Sequence, residues 1–396
     1  MQEFEKYPFL CYIIFPQVLR FDLQLFQEFF IMPFDRGTFS FTMFTLRDEL
    51  PENTGEILGA RKACKLDEVT GEPSFGWVTG QHLLDTEIDE GSARFGSAYY
   101  LTLRRAVRKI PSSLLNALCR RAEEARMKET GKNFIGSKEK KEIKESTIER
   151  NIMKMPPSLS GIPMVIVPHN RHLYLGASSQ SQIDLFIEHF FQAFKMEPLQ
   201  LTPTAILAEE FNITPSTFPP LSPAKPESTF AEESLGRDFL LYLWYLSESG
   251  KTIETADYGE FEVMLEAPLC LIGDGDDPGA GEATIKKGDS PIRGAEVKAA
   301  LSVGKKLRKA KLTFTRLNQI WTGTFDADNF SFSSFALPEG DAQDRSEVFS
   351  ERVEFLDIFR EVITSGFRQY ANAMLNGKDS ETVAALKEWI NTRDAI

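Results

Sequence analysis

The residues best suited to binding or catalysis in this sequence are basic, and they are concentrated in two windows. Residues 302–316, SVGKKLRKAKLTFTR, carry six Lys and Arg residues and no acidic one, although the 396-residue chain has a formal net charge of −13. Residues 285–316 hold ten basic residues against two acidic ones, and residues 101–150 hold 14 against seven. This segregation predicts a surface that attracts a polyanion such as a nucleic-acid backbone.

An ordinary solvated face is the competing interpretation of these charges. The stretch SKEKKEIKE (137–145) interleaves Lys with Glu, which is typical of a solvated helix with pairs at i,i+4. The run at 302–316 contains no acidic residue that could pair locally, so it favours a binding surface more strongly. Neither window contains interleaved aromatic residues or a base-reading motif, and the predicted contacts are therefore with backbone phosphates.

Motifs of catalysis and metal binding are incomplete in this sequence. GDGDDPGAGE (273–282) lacks the register of a calcium loop and the Gly-Lys-Ser/Thr end of a phosphate loop, which predicts a flexible acidic loop. His169 and His172 flank a predicted hairpin turn without a third ligand in register. The sequence predicts no cofactor and no metal, although a metal-dependent nuclease with scattered carboxylates remains an alternative.

The elements that position these residues follow from composition and periodicity. A content of 42% apolar and 26% charged residues is normal for a soluble globular protein. Four well-separated cysteines without a CxxC pair are typical of reduced thiols in a cytosol. Residues 9–34 are apolar, but Pro16, Arg20, Asp22 and Glu28 interrupt them, so no membrane span of ~20 residues is predicted.

Helical spacing and alternation predict the local structure. Helices are expected over 111–131, from an N-cap at Ser137, over 183–194, over 236–248, up to about 300–303, and from about 346 onward. Hairpins are expected at 163–177 and between 311–316 and 320–325. The predicted fold class is α+β, with antiparallel sheets and hairpins and with segregated helices.

The predicted organisation has five parts. They are an atypical N-terminal extension at 1–36, an α+β region with the basic helical pair at 37–201, a Pro/Ser/Thr-rich connection at 202–235, an α+β region with the basic turn at 236–340, and a C-terminal helical tail at 341–396.

The chain resembles the family of the bacterial recombination-associated protein RdgC. The stretches that carry the resemblance are FGWV (75–78), YLTLRRAVRKIPSSLLNALCRRAEE (100–124), GKNFIGSKEKKEIKE (131–145), GRDFLLYLWYLSE (236–248), AEVKAALSVGKKLRKAKLTF (295–314) and WTGTFDAD (321–328). They occur in order and cover roughly residues 40–338.

The resemblance implies a DNA-binding protein without catalytic activity. It implies a ring-shaped homodimer with a basic hole that binds duplex DNA without sequence preference, restrains the RecA-type recombinase, and lies in the cytoplasm at the nucleoid. Single-stranded DNA is an alternative ligand, and an acidic protein partner is an alternative to DNA. The residues that the resemblance assigns to DNA are Arg104, Arg105, Lys138, Lys140, Lys141, Lys144, Lys305, Lys306, Arg308, Lys309 and Lys311.

The start of the chain departs from the family pattern. The usual first strand and its Leu-Pro-Glu turn match FTMFTLRDELPE (41–52), so residues 1–36 have no counterpart. We expect the natural start to be Met32 or Met43 and the upstream segment to be a misassigned extension. The acidic loop at 273–282 and the C-terminal tail are also expected to be particular to this chain.

Overall fold

The 13 strands that the structure describes join in one sheet, and every pairing between these strands is antiparallel. The computed structural model describes residues 34–131, 133–219, 221, 234–273, 281–286, 294–302, 304–376 and 381–392. Helices accompany the sheet, so the α+β class is confirmed.

The strands are β1 (Phe39–Thr45), β2 (Ser74–Thr79), β3 (Arg94–Phe95), β4 (Ala98–Arg108), β5 (Pro157–Val167), β6 (His172–Leu175), β7 (Leu199–Gln200), β8 (Thr252–Thr255), β9 (Gly259–Ile272), β10 (Glu282–Ile285), β11 (Lys306–Arg316), β12 (Gln319–Asp326) and β13 (Ser331–Ala336). The helices are α1 (Thr54–Gly59), α2 (Glu90–Ala93), α3 (Ser112–Thr130), α4 (Ser137–Ile152), α5 (Gln180–Phe194), α6 (Pro203–Glu210), α7 (Ser234–Ser249), α8 (Ala295–Ser302), α9 (Arg345–Leu375) and α10 (Glu381–Thr392). The order across the sheet is β10-β9-β11-β12-β13-β1-β6-β5-β4-β2, with β3 on β4, β7 on β1 and β8 on β9.

Strand β1 joins the two α+β regions that the sequence suggested. It pairs with β13 on one side, where Phe39 faces Phe335, and with β6 on the other. Phe41 is fully buried and lies against Phe332, with ring centroids 5.5 Å apart. Both faces of β1 are buried, with Phe41 and Met43 on one face and Thr42 and Phe44 on the other, as expected of a strand in the interior of a covered sheet. The regions 37–201 and 236–340 therefore share one sheet.

The two faces of the sheet have separate cores. The larger core continues across both regions and includes Trp244 of α7 and Phe359 of α9. The smaller core lies under the first region, where Trp77 of β2 meets Phe186 of α5. Helix α9 is thus part of the core, and the predicted tail at 341–396 supplies much of the packing of the larger one.

The predicted helical hairpin is present as α3 and α4. Gly131 ends α3 in the left-handed region, with φ of 67°, which favours glycine because it has no Cβ. Gly136 is the N-cap residue of α4, and Ser137, the expected N-cap, is its first helical residue. None of the described helices is both long and apolar enough to cross a membrane.

The predicted extension at 1–36 is described only from Phe34 onward. Phe34 is 1% exposed and packs against Phe39. Arg352 of α9 donates from Nε to the Phe34 carbonyl at 2.8 Å, and Arg345 pairs with Asp35 at 2.7 Å. The last residues of that segment are therefore integrated into the fold. Most of the acidic loop, 274–280, and residues 222–233 of the predicted connection lie outside the described residues.

Candidate nucleic-acid interface

The α3–α4 hairpin is the most exposed part of the two basic windows. No side chain of α3 is buried, and Thr147 is the one buried residue within α4. The two helices meet along a narrow apolar seam, because apolar residues such as Leu118 and Ile143 recur at helical spacing. The remaining positions face solvent, which leaves the basic side chains accessible.

Ion pairs within the hairpin neutralise part of its charge. Arg126 pairs with Glu139 at 3.2 Å and so links the two helices. Lys140 lies 4.0 Å from Glu123, and Lys141 lies 3.9 Å from Glu145. The three basic side chains are at least half exposed, and pairs of this kind contribute little to stability. A phosphate can therefore compete for these cations.

Other cations of the hairpin have no ion-pair partner within the part of the chain that the structure describes. All of them are exposed, and they are Arg120, Arg121, Lys128, Lys138, Lys144 and Arg150. Four residues assigned from the sequence, Lys138, Lys140, Lys141 and Lys144, thus lie together on α4. The structure adds Arg120 and Arg121 of α3 to this surface. Both belong to the basic window at 101–150, but neither was among the residues assigned to DNA from the sequence.

The arginines of β4 divide between surface and interior. Arg105 is partly exposed, whereas Arg104 is only 2% exposed and donates to the carbonyls of Leu83 and Cys64. Arg108 is also buried, and its Nε donates to the Val69 carbonyl at 2.7 Å. Arg104 therefore does not lie where a phosphate could reach it. The local pattern RRAVR gave no sign that backbone carbonyls of a distant loop would bind these guanidinium groups.

The strand predicted at 311–316 is present but begins earlier, so residues 306–310, which were expected to form a turn after a helix, belong to it as well. Helix α8 ends at Ser302 and β11 begins at Lys306. Ala310, Leu312 and Phe314 alternate with more exposed residues and are fully buried or nearly so. Their burial against the larger core explains why the strand begins so early.

Acidic residues from other elements neutralise the cations of β11. Three pairs are close: Lys306 with Asp238 at 2.8 Å, Lys309 with Asp326 at 2.8 Å, and Lys311 with Glu266 at 2.9 Å.

The two remaining residues of this run that were assigned to DNA are Arg308 and Lys305. Arg308 lies 3.0 Å from Asp328, which also pairs with Arg237 at 2.6 Å. Lys305 is 8% exposed. The run has no acidic residue of its own, but its partners come from α7, β9, β12 and the segment after β12. The structure therefore does not bring the two basic windows into one continuous set of unpaired cations.

A polar cavity of about 380 Å³ beside β6 and α9 is a second candidate site. Asp357 lies 2.8 Å from His172 Nδ1, and it accepts hydrogen bonds from the Tyr174 hydroxyl and from Asn170 Nδ2. Burial lowers the pKa of His172, although Asp357 acts in the opposite direction. The resulting neutral imidazole, oriented by a carboxylate, could accept a proton.

The hydrogen bonds from His172 and Tyr174 hold the pKa of Asp357 below its usual value, against the opposing effect of burial. The sequence singled out His172 only as a residue that flanks a turn, because Asp357 is 185 positions away. Across the described residues, no group of three or more His, Cys, Asp or Glu side chains is arranged to hold a metal ion.

Comparisons with known proteins add no relative, because no family model and no curated protein matches the chain.

Proposed function

We propose that this protein binds DNA without sequence preference through the α3–α4 hairpin. The observation that carries the proposal is a solvent-exposed pair of helices whose exposed cations include several without an ion pair among the described residues, on a chain whose net charge is −13. Backbone phosphates are the expected ligands, because the hairpin offers point charges and no base-reading geometry.

Electrostatics favours the hairpin over β11 as the phosphate-binding surface. A cation that replaces a counterion on a phosphate adds most to the affinity when no carboxylate already neutralises it, because binding then breaks no ion pair. Lys138 and Lys144 meet this condition, whereas Lys306 faces the buried Asp238. The acidic remainder of the chain repels the phosphate backbone and so directs DNA toward the hairpin.

The resemblance to the RdgC family supports a more specific proposal. The protein acts as a homodimer that encloses duplex DNA in a ring, and it restrains the RecA-type recombinase by occupying that DNA. It performs no catalysis and works at the nucleoid in the bacterial cytoplasm.

Two charge-matched double variants test the site. Lys138→Gln with Lys144→Gln removes two unpaired cations, and Lys309→Gln with Lys311→Gln removes two paired ones. A gel-shift titration over a salt series should show that the first variant weakens duplex binding for every sequence. The slope of log K against log salt should fall in magnitude by about 1–2 for the first variant and remain unchanged for the second.

Several outcomes would overturn the proposal. Wild-type protein that binds no duplex at low salt would exclude DNA as the ligand, and an acidic protein partner would then replace it. Equal weakening in both variants would exclude the hairpin as the particular site. Loss of intact DNA on addition of Mg²⁺ or Mn²⁺, absent in matched reactions without protein, would instead favour a nuclease.

A further inference from the structure

The α3–α4 hairpin leaves the sheet at the end of the β4–β5 pair. It is inserted between these two strands, so both of its connections, 109–111 and 153–156, lie at the same end, where Arg108 pairs with Pro157 in the sheet. The two helices pack chiefly on each other. The direction in which the hairpin points is therefore set by contacts at its base.

The length of the hairpin makes its direction sensitive to that base. Helix α3 has 19 residues and is therefore about 28 Å long, so a tilt of about 10° at the base moves its far end by about 5 Å. An ion pair extends over about 4 Å at most. Cations that are spread along both helices, such as Arg120 and Lys138, can therefore meet one duplex together only if the base holds the hairpin in a fixed direction.

The side chain of Arg108 connects the base of the hairpin to the loop before β2. Its Nε donates to the Val69 carbonyl at 2.7 Å, and its Nη2 donates to the Leu66 carbonyl at 2.9 Å. Its Nη1 donates to the Met155 carbonyl, in the segment by which the chain leaves α4. The same nitrogen lies 3.5 Å from the carbonyl of Met153, the C-cap residue of α4. One guanidinium thus joins the end of α4 to this loop.

The contacts around Arg108 make the loop a support for the end of α4. Arg108 is 8% exposed, and each of its side-chain acceptors within the described structure is a backbone carbonyl. Its own amide donates to the Thr70 carbonyl at 2.8 Å. A Cβ added to Gly71 would be 3.5 Å from Ile152 Cγ1, so the last residue of α4 lies beside the loop. A planar guanidinium fork reaches both sides at once, whereas the ammonium of a lysine is a single point donor.

We infer that Arg108 is a positioning residue for DNA binding, an inference that rests on the proposed function. Arg108 does not touch DNA. It holds the hairpin in the direction in which the cations of both helices reach one duplex. When this support is lost, only a fraction of the molecules presents the hairpin in that direction, and the apparent affinity falls by the same fraction. The number of phosphates neutralised in the complex does not change, so the salt dependence of binding stays the same.

Arg108→Lys tests the inference, because it keeps the charge and removes the fork. Its matched control is Arg104→Lys on the same strand, where the buried guanidinium binds the carbonyls of Leu83 and Cys64, neither of which belongs to the hairpin. Duplex binding is measured by gel-shift titration over a salt series, at a temperature at which urea titrations show each variant to be folded. We expect Arg108→Lys to bind about tenfold more weakly at every salt concentration, with an unchanged slope of log K against log salt. Arg104→Lys should bind as the wild-type protein does.

Ile152→Ala loosens the same base without a change of charge, and it takes the place of Arg108→Lys if that variant does not fold. It should weaken binding about threefold, again with the wild-type slope. Wild-type affinity in the folded base variant would overturn the inference. So would an equal loss of affinity in Arg104→Lys, which would show a general effect of buried arginines, or a smaller slope, which would show that phosphate contacts are lost.

The double variant Lys138→Gln with Lys144→Gln separates this inference from the proposed function. If the double variant weakens binding while Arg108→Lys does not, the inference alone is wrong. If the wild-type protein binds no duplex, or if the double variant binds as the wild-type protein does, the hairpin is not the DNA-binding surface and both are wrong.

Discussion

Replacement of Lys306 by Met removes the cation that faces the most deeply buried carboxylate of the β11 ion pairs. The Asp238 side chain is 1% exposed and that of Lys306 is 12% exposed, with 2.8 Å between Nζ and Oδ1. Met retains most of the volume of the Lys stem, so the change removes charge rather than packing. Asp238 keeps the hydrogen bond from the Leu221 amide at 3.1 Å.

The expected cost follows from the burial of the carboxylate. When one partner of a buried ion pair is removed, the remaining charge costs about 3–5 kcal/mol. The unfolding equilibrium constant should therefore rise by roughly 100- to 4000-fold. Lys309→Met is the matched control on the same strand, because the Lys309 side chain is 42% exposed and its pair is screened by water. That variant should cost less than ~1 kcal/mol.

Urea unfolding followed by tryptophan fluorescence measures both variants. A second substitution, Asp238→Asn, should restore at least half of the stability lost in Lys306→Met, because it removes the buried negative charge that Lys306 faced. A cost below ~1 kcal/mol for Lys306→Met would refute the reasoning, since it would show that solvent screens the pair. The same result would return Lys306 to the set of possible phosphate ligands.

Two further predictions concern the start of the chain and the polar cavity. A protein that begins at Met43 lacks Phe41 and half of β1, so it should be insoluble or melt without cooperativity, whereas one that begins at Met32 should melt cooperatively in circular dichroism. Equal melting of the two would contradict the central position of β1. Because burial lowers the pKa of His172, the unfolded chain binds a proton more readily, and stability should fall as the pH falls below about 6.5. His172→Asn keeps a hydrogen-bond donor for Asp357 but cannot titrate. The free energy of unfolding of this variant should therefore fall less steeply with pH over that range than that of the wild-type protein. Urea titrations that gave the same dependence on pH for both proteins would contradict this.

The local elements of the fold were predictable from the sequence. The spacing of Leu115, Leu118 and Ala122 predicts α3, and Gly131 marks its end. The alternation in residues 311–325 predicts the β11–β12 hairpin, which the structure confirms. Each of these signals depends on neighbours within a few positions, where periodicity and turn chemistry are sufficient.

The pairings between distant segments were not predictable. Nothing near β1 indicates that β13 would lie beside it, and a charge count cannot show that Asp238 neutralises Lys306. The burial of Arg104 was unpredictable for the same reason. Its partners are backbone carbonyls of distant residues, and a backbone carbonyl leaves no pattern in the sequence. The sequence was sufficient to predict a basic window as the candidate interface. That the candidate narrows to the α3–α4 hairpin follows only from the tertiary contacts, which pair the cations of β11 with distant carboxylates.

The position of β1 has a consequence for the order in which the protein can fold during synthesis. Strand β1 leaves the ribosome before the other described strands, and its partner β6 follows within the same region. On its other edge β7 pairs with Phe44 and Thr45, but residues 39–42 stay without a partner until β13 has been made, since Phe39 pairs with Phe335. Until then the nascent chain exposes an apolar strand edge, which is a template for aggregation. Rapid translation through the second region, or a chaperone that covers this edge, would therefore increase the yield of folded protein.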